Sequence, residues 1–285
     1  MTPQADAAKP LVARNSGVYG HWMIHFWKMN GAGNDFVMLD NRSGRWNLSG
    51  SQISQLCDRH RGVGADGLIA VEPAQNGADF RMRYYNADGG EAEMCGNGAR
   101  CFARFANMLS NWSLDRVSFE TPAGVIGATY HGDCVRLAMS DPHSQRMGLT
   151  LDVSGSSKVV HFINTGVPHA VVVVDDLSAV PVREWGAALR YHTEFQPKGT
   201  NANFLTATPE GIAIRTYERG VEDETLACGT GASAVCVAGV LTGRTKRKII
   251  NHLLGGDLEL EWRESDGCVY KTGPAVEVFS GDWPE

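Results

Sequence analysis

The sequence predicts an α+β protein made of two similar halves, each a curled sheet around a buried helix. Three observations lead to this class. Two Cys-Gly-x-Gly turns, at Cys95 and Cys228, each open an apolar helical stretch. Two strand–turn–strand segments, each ending in Asp, precede those turns. The matching positions share nearly one offset: Asn34 and His169 lie 135 apart, and Cys95 and Cys228 lie 133 apart.

Each element follows from its residues. Residues 1–22 are mostly small, polar and aperiodic, and are expected to form a disordered N-terminal extension. Trp27–Asp40 (WKMNGAGNDFVMLD) reads as a strand, a glycine-bearing turn and an apolar strand. Phe80–Asn86 (FRMRYYN) alternates as a half-buried strand does. A turn follows at Ala87, Asp88, Gly89 and Gly90. Glu93–Cys101 (EMCGNGARC) then opens a helix with Cys101, Phe102, Phe105, Met108 and Leu109 on one face. Asp141 and Pro142 are a turn signal and put the boundary near Met139 to His143.

The second half repeats the order. Phe162–Asp175 (FINTGVPHAVVVVD) matches the first hairpin, and Ile212–Tyr217 (IAIRTY) alternates like a strand. Glu218–Glu224 (ERGVEDE) is a polar turn, and Leu226–Ser233 (LACGTGAS) opens a stretch that stays apolar to Leu241. A helix apolar all round is a buried one. The expected domains are 23–140, rejoined by 273–285, and 141–272.

Composition narrows the function classes. The formal charge is −6 over 285 residues and the pI is near 5.9, without the basic footprint of a nucleic-acid binder. The one basic cluster, Arg244–Lys248 (RTKRK), reads as a solvated turn after a helix. No apolar run approaches the ~18 residues of a membrane span. The seven cysteines lack zinc-knuckle spacing, imply no disulfide framework and fit a reducing cytoplasm. Gly62, Gly64 and Gly67 fit a GxGxxG pattern. Charged residues precede them and a strand follows, so the dinucleotide context is missing.

The cysteine turns carry the chemistry. The first N–H groups of a helix lack internal partners and point outward, a ready site for a carboxylate. A cysteine at such a terminus has its thiolate favoured. Two such turns in equivalent places suit a pair of acid/base groups on opposite faces of one carbon. One would remove an α-proton while the other delivers one to the opposite face. Free cysteines are also often plain small hydrophobes, and that reading holds for Cys57, Cys101, Cys134, Cys236 and Cys268.

From about Met23 onward the chain resembles diaminopimelate epimerases. The matching segments are KMNGAGNDF (Lys28–Phe36), YNADGGEAEMCGNGARC (Tyr85–Cys101), TGVPH (Thr165–His169), GTNANF (Gly199–Phe204) and YERGVEDETLACGTGA (Tyr217–Ala232). The resemblance implies two pseudo-symmetric domains, each a mostly antiparallel sheet or barrel around a central helix. It implies interconversion of LL- and meso-2,6-diaminopimelate, in lysine and peptidoglycan precursor synthesis, with no metal and no pyridoxal phosphate. It also implies a homodimer whose partner molecule is this small substrate; the composition has already set aside nucleic acid and membrane and favoured the cytoplasm.

Residue by residue, Cys95 and Cys228 match the acid/base pair, and His169 and Glu218 match groups that assist proton transfer. Gly96, Asn97, Gly229 and Thr230 match the cradle of the reacting carboxylate. Asn34, Asn86, Asn201, Glu218 and Arg219 match the substrate-binding set. An arginine suits a distal carboxylate because its fork binds both oxygens. Asparagine both donates and accepts, which suits a zwitterion.

Two positions depart from the family pattern: Gly67 stands where many members have glutamine, and Val167 where many have asparagine. Two other readings stay open at this point. One is a racemase of proline or hydroxyproline type; the other is a non-catalytic amino-acid-binding protein.

Overall fold

The computed structural model describes residues 23–139, 141–209, 211–225, 229–253 and 255–284. The expected N-terminal extension, residues 1–22, lies outside the described residues, as does Cys228.

The first half opens with the hairpin β1 (Met23–Gly31) and β2 (Asn34–Asp40). Its turn residues Ala32 and Gly33 both take positive φ, as tight hairpin turns require. Helix α1 (Gly50–Cys57) starts at a capping box, where Ser49 accepts from the Gln52 amide and Gln52 reaches back. Strand β3 (Gly67–Pro73) runs parallel to β2, and β4 (Phe80–Asn86) returns antiparallel. The two-residue strand β5 (Glu91–Ala92) leads into α2 (Gly96–Leu109). Then come β6 (Arg116–Thr121), parallel to β4, and the meander β7 (Gly124–His131) and β8 (Cys134–Ala138).

The second half repeats these pairings. After β9 (His143–Val153), the hairpin β10 (Ser156–Asn164) and β11 (Pro168–Val173) stands where β1 and β2 stood. Helix α3 (Val182–Arg190) is followed by β12 (Asn201–Ala207), parallel to β11, and β13 (Gly211–Glu218), antiparallel to β12. Strand β14 (Asp223–Thr225) precedes α4 (Gly229–Leu241). Strand β15 (Lys248–Leu253) lies parallel to β13, and β16 (Gly256–Trp262) and β17 (Val269–Pro274) close the meander. The last strand, β18 (Val276–Pro284), crosses back and pairs with β1. Strand β17 already joins the halves, pairing with both β16 and β8.

Helices α2 and α4 lie in one shared apolar core. Helix α4 is buried from Gly231 through Gly239, as its all-apolar sequence requires. Helix α2 departs from the one-faced pattern read in its sequence: Arg100 and Asn107 are buried as well as Phe102 and Phe105. It too is enclosed over most of its surface, with Arg104, Met108 and Leu109 half-buried, so the sheet curls around it rather than lying under it. The glycine run before β3 caps α1: the amides of Val63 and Gly64 both reach the Leu56 carbonyl. No helix of the described residues is long and apolar enough to cross a membrane.

Candidate active site

Cys95 is the N-cap of α2 and has extended backbone. Its Sγ accepts from the Gly98 amide at 3.5 Å. Burial pushes the thiol up, while the amides of Gly98 and Asn97 and the Lys271 ammonium pull the other way. Helix α4 begins at Gly229, directly beside this turn. A Cβ built on Gly229 would stand 3.5 Å from the Cα of Gly96. The two helix starts therefore lie in van der Waals contact. Their outward amides and positive dipole ends converge on one point, which favours an anion there.

On the first-half side a chain of polar contacts fixes two asparagines. Arg100, fully buried, donates to the Asn97 Oδ1 at 2.9 Å and to the carbonyl of Gly31 at 3.1 Å. Asn97 Nδ2 donates to Asn34 Oδ1 at 2.8 Å, and Asn34 Nδ2 to Asp66 Oδ2 at 2.9 Å. Arg59 holds Asp66 and Asp35, each at 2.7 Å, and Lys28 pairs with Asp35 at 2.9 Å. Burial opposes ionisation of Asp35, but the hydrogen bonds of Arg59 and Lys28 outweigh it and hold the carboxyl at about 2. The side chain of Asn97 is committed to this chain, while its backbone amide bonds the Cys95 sulfur.

The second half supplies most of the polar wall of a cleft of about 390 Å³. That volume suits a small molecule. Asn201, Glu218, Arg219, Thr230 and Val167 line it, facing Met94 and Ile126 of the first half. Asn201 donates to the Pro168 carbonyl at 3.0 Å and accepts from the Arg219 amide at 2.8 Å, so it locks the turn that carries Arg219. The Arg219 guanidinium also donates to the Lys198 carbonyl at 3.0 Å. Burial raises the carboxyl of Glu218 above its ordinary value.

His169 is fully buried, opposite Asn201 in the β11–β12 register. Burial, aided by the charge of Arg219, pushes it down to about 3, so it is neutral. Thr216 Oγ1 donates to Asn203 Oδ1 at 3.0 Å, which turns the Asn203 Nδ2 toward His169 Nδ1, 3.1 Å away. An accepting Nδ1 leaves the ring proton on Nε2.

The structure thus gathers Cys95, Gly96, Asn97 and Asn34 at one helix start. Gly229 and Thr230 stand at the other, with Asn201, Glu218 and Arg219 across the cleft. Asn86 is exposed at the end of β4, opposite Gly67, and the next residue, Ala87, donates to the carbonyl of Asp66, whose carboxylate holds Asn34. Gly67 is forced by space: a Cβ there would lie 2.3 Å from the Tyr85 carbonyl oxygen and 2.8 Å from Cε2 of Tyr84. The Tyr84 ring fills the place that a side chain at 67 would take. Val167 gives the cleft an apolar wall instead of an amide. Sequence reasoning missed Arg100, Asn203 and Lys271, all buried and polar. The only sequence signal was a charged or amide residue inside an otherwise apolar stretch.

The model of the family described as diaminopimelate epimerase matches residues 26–143 and again 161–278, a second copy offset as the internal repeat is. The chain belongs to the diaminopimelate epimerase family. It is 44% identical over 275 residues to the diaminopimelate epimerase of Aquifex aeolicus, covering 90% of this chain and 97% of that one. To the diaminopimelate epimerase of Moorella thermoacetica it is 41% identical over 283 residues, covering 92% and 99%.

Among solved structures it is similar in fold to a probable proline racemase from Agrobacterium radiobacter K84. The TM-score is 0.66 at 16% identity, over 90% of this chain and 92% of that one. A PhzF-family phenazine biosynthesis protein of Bacillus anthracis matches with TM-score 0.65 at 15% identity, over 92% and 98%. The fold of this chain is two repeated domains, as the double match of the family model and the pairing of the strands show.

Proposed function

We propose that the chain interconverts LL- and meso-2,6-diaminopimelate, with Cys95 and Cys228 as the two acid/base groups and without a cofactor. The observation that carries this reading is the contact of the two helix starts at Gly96 and Gly229, each the residue after one of those cysteines. One cysteine, as thiolate, takes the α-hydrogen as a proton. The electron pair left on carbon spreads into the adjacent carboxylate, which the converging helix amides stabilise. The other cysteine, as thiol, delivers its proton to the opposite face and becomes the thiolate. The two exchange roles in the reverse direction, so they titrate as a coupled pair.

The rest of the site supports a substrate with a second zwitterionic end. Arg219 suits the distal carboxylate, and Glu218 and the asparagines suit ammonium groups. A small imino acid would leave Arg219 and Glu218 without a counterpart. Neutral His169 assists by offering its Nε2–H. We propose further that the protein works as a homodimer in the cytoplasm. The family resemblance supports the dimer, and the six described cysteines, all unpaired, are compatible with a reducing compartment. Sedimentation equilibrium tests the dimer.

Incubation with LL-diaminopimelate in heavy water should place deuterium on the α-carbon of the product. Cys95→Ala and Cys228→Ala should each abolish turnover. Near-normal epimerisation by either variant, or turnover without deuterium uptake, would sink the two-cysteine reading.

A further inference from the structure

Lys271 sits in the middle of β17, opposite Leu137 of β8 and Leu260 of β16. Along β17 buried and half-buried residues alternate, and position 271 falls on the inward side, so its side chain is fully enclosed. The side chain runs to the point where α2 and α4 begin. A Cβ built on Gly96 would lie 2.2 Å from the Lys271 Nζ, and a Cβ built on Gly229 would lie 2.2 Å from the same atom. The nitrogen is thus shared between the two helix starts and occupies the space that a side chain on either glycine would take.

The electrostatics of that position are unusual. Each helix start carries about half a positive charge, and an ammonium adds a full one. Removing an ammonium from water is costly unless negative charge accompanies it. A point where three positive features meet out of water calls for anions. Given the reaction proposed above, on which this inference rests, two are at hand: a cysteine thiolate and the reacting carboxylate.

We propose that Lys271 is a positioning residue whose ammonium, seated behind both helix starts, favours the thiolate of Cys95 and the negative charge that grows in the substrate carboxylate. Its charge opposes the effect of burial on the Cys95 thiol. Among the described residues, the other titratable groups that interact with Cys95 are Glu218 from β13, Tyr84 from β4, and Arg100 and Cys101 from its own helix. Of these, Glu218, Tyr84 and Cys101 add negative charge when ionised. Arg100 spends its donors on the carbonyls of Gly31, Pro274 and Gly96 and on Asn97. Among the described residues, Lys271 is the positive side chain whose charged end lies against both Gly96 and Gly229.

The test is Lys271→Met, which keeps the length and removes the charge, with Lys271→Gln as a second neutral variant. Alkylation of Cys95 by iodoacetamide, followed by peptide mass spectrometry across pH and without substrate, should show its midpoint rising by at least one pH unit in both. Turnover of LL-diaminopimelate should fall more than ten-fold in kcat, with KM changing less, because the charge grows in the transition state. The acid limb of kcat/KM should move to higher pH. A folded variant with an unmoved midpoint overturns the proposal, whatever its activity.

A measurement on the unaltered protein keeps the idea testable if neither variant folds. With lysines labelled at 13Cε, every Cε resonance should stay at its ammonium position up to pH 8, and an enclosed lysine found neutral at pH 7 overturns the proposal. A shifted Cys95 midpoint alongside a wild-type protein that does not epimerise diaminopimelate would condemn the assigned reaction and retain the Lys271–Cys95 link. Normal epimerisation with an unmoved midpoint would condemn the Lys271 proposal alone.

Discussion

Thr216→Val isolates the hydrogen-bond chain that sets the proton position on His169. Thr216 Oγ1 donates to Asn203 Oδ1, and the Asn203 amide in turn faces His169 Nδ1 and the Ala170 carbonyl. Valine nearly matches threonine in shape, so the change removes one hydroxyl and opens no cavity. It leaves Asn203 Oδ1 enclosed and without that donor. An orphaned buried acceptor costs about 1–3 kcal/mol, and both partners here are almost fully buried, so a loss of about 2 kcal/mol is expected.

The consequence for chemistry is larger than the stability loss. Without Thr216 to hold it, the Asn203 amide can turn over and present its oxygen to His169, which moves the ring proton from Nε2 to Nδ1. The 3.3 Å bond to Ala170 resists that turn, so a mixture of tautomers is expected. Urea unfolding reads the first effect, and 15N NMR of the His169 ring reads the second. Wild-type His169 found as the Nδ1–H tautomer would refute the reasoning. So would a variant with unchanged urea midpoint and an unchanged ring spectrum.

Three further outcomes follow from the same geometry. Arg219→Lys should raise KM for diaminopimelate at least ten-fold with a smaller change in kcat, since a point charge replaces a fork; steady-state kinetics decides it. Gly31→Ala should destabilise the fold by about 1–3 kcal/mol and lower kcat. Its Cβ would stand 2.7 Å from the Asn97 carbonyl oxygen and 2.9 Å from Cys101 Sγ, displacing the first turn of α2. An unchanged melting temperature would count against it. Asp35 has its folded value depressed from 3.8 to about 2, so its contribution is complete above about pH 4 and is lost as pH falls toward 2. Asp35→Asn should remove that part of the acid sensitivity, and parallel acid-unfolding curves for the two proteins would contradict the assignment.

Much of the architecture was legible because duplication leaves a mark that periodicity alone does not. The offsets from Asn34 to His169 and from Cys95 to Cys228 reappear in the structure as equivalent pairings, β2 with β3 and β11 with β12, although their parallel direction was not read from the sequence. The apolar run through α4 announced a central helix. Helix α2 did not announce itself as fully, because Arg100 and Asn107 interrupt its apolar pattern and look like a solvated face. Arg100 is tolerated inside only because four oxygens lie within its reach, a fact of the tertiary fold. Lys271 was hidden for the same reason: in a strand of alternating character, a lysine on the inward side reads as an error of register. The restricted space at Gly67 was also unreadable, since the ring of Tyr84 that fills it comes from the neighbouring strand.

The return of β18 to β1 closes the chain into a ring. Pro284 stands opposite Met23, so the two described ends are neighbours in the sheet. By the same pattern β9 leaves the first half to pair with β10 of the second. Joining 284 to 23 through a short linker and reopening the chain at the tight turn of Ser154 and Gly155 would begin at β10 and finish with β9. That order mirrors the natural one, which begins at β1 and finishes with β18. The rearranged polypeptide would enter the same fold with its halves exchanged in rank. For such a ring, first and second are accidents of where the chain is cut.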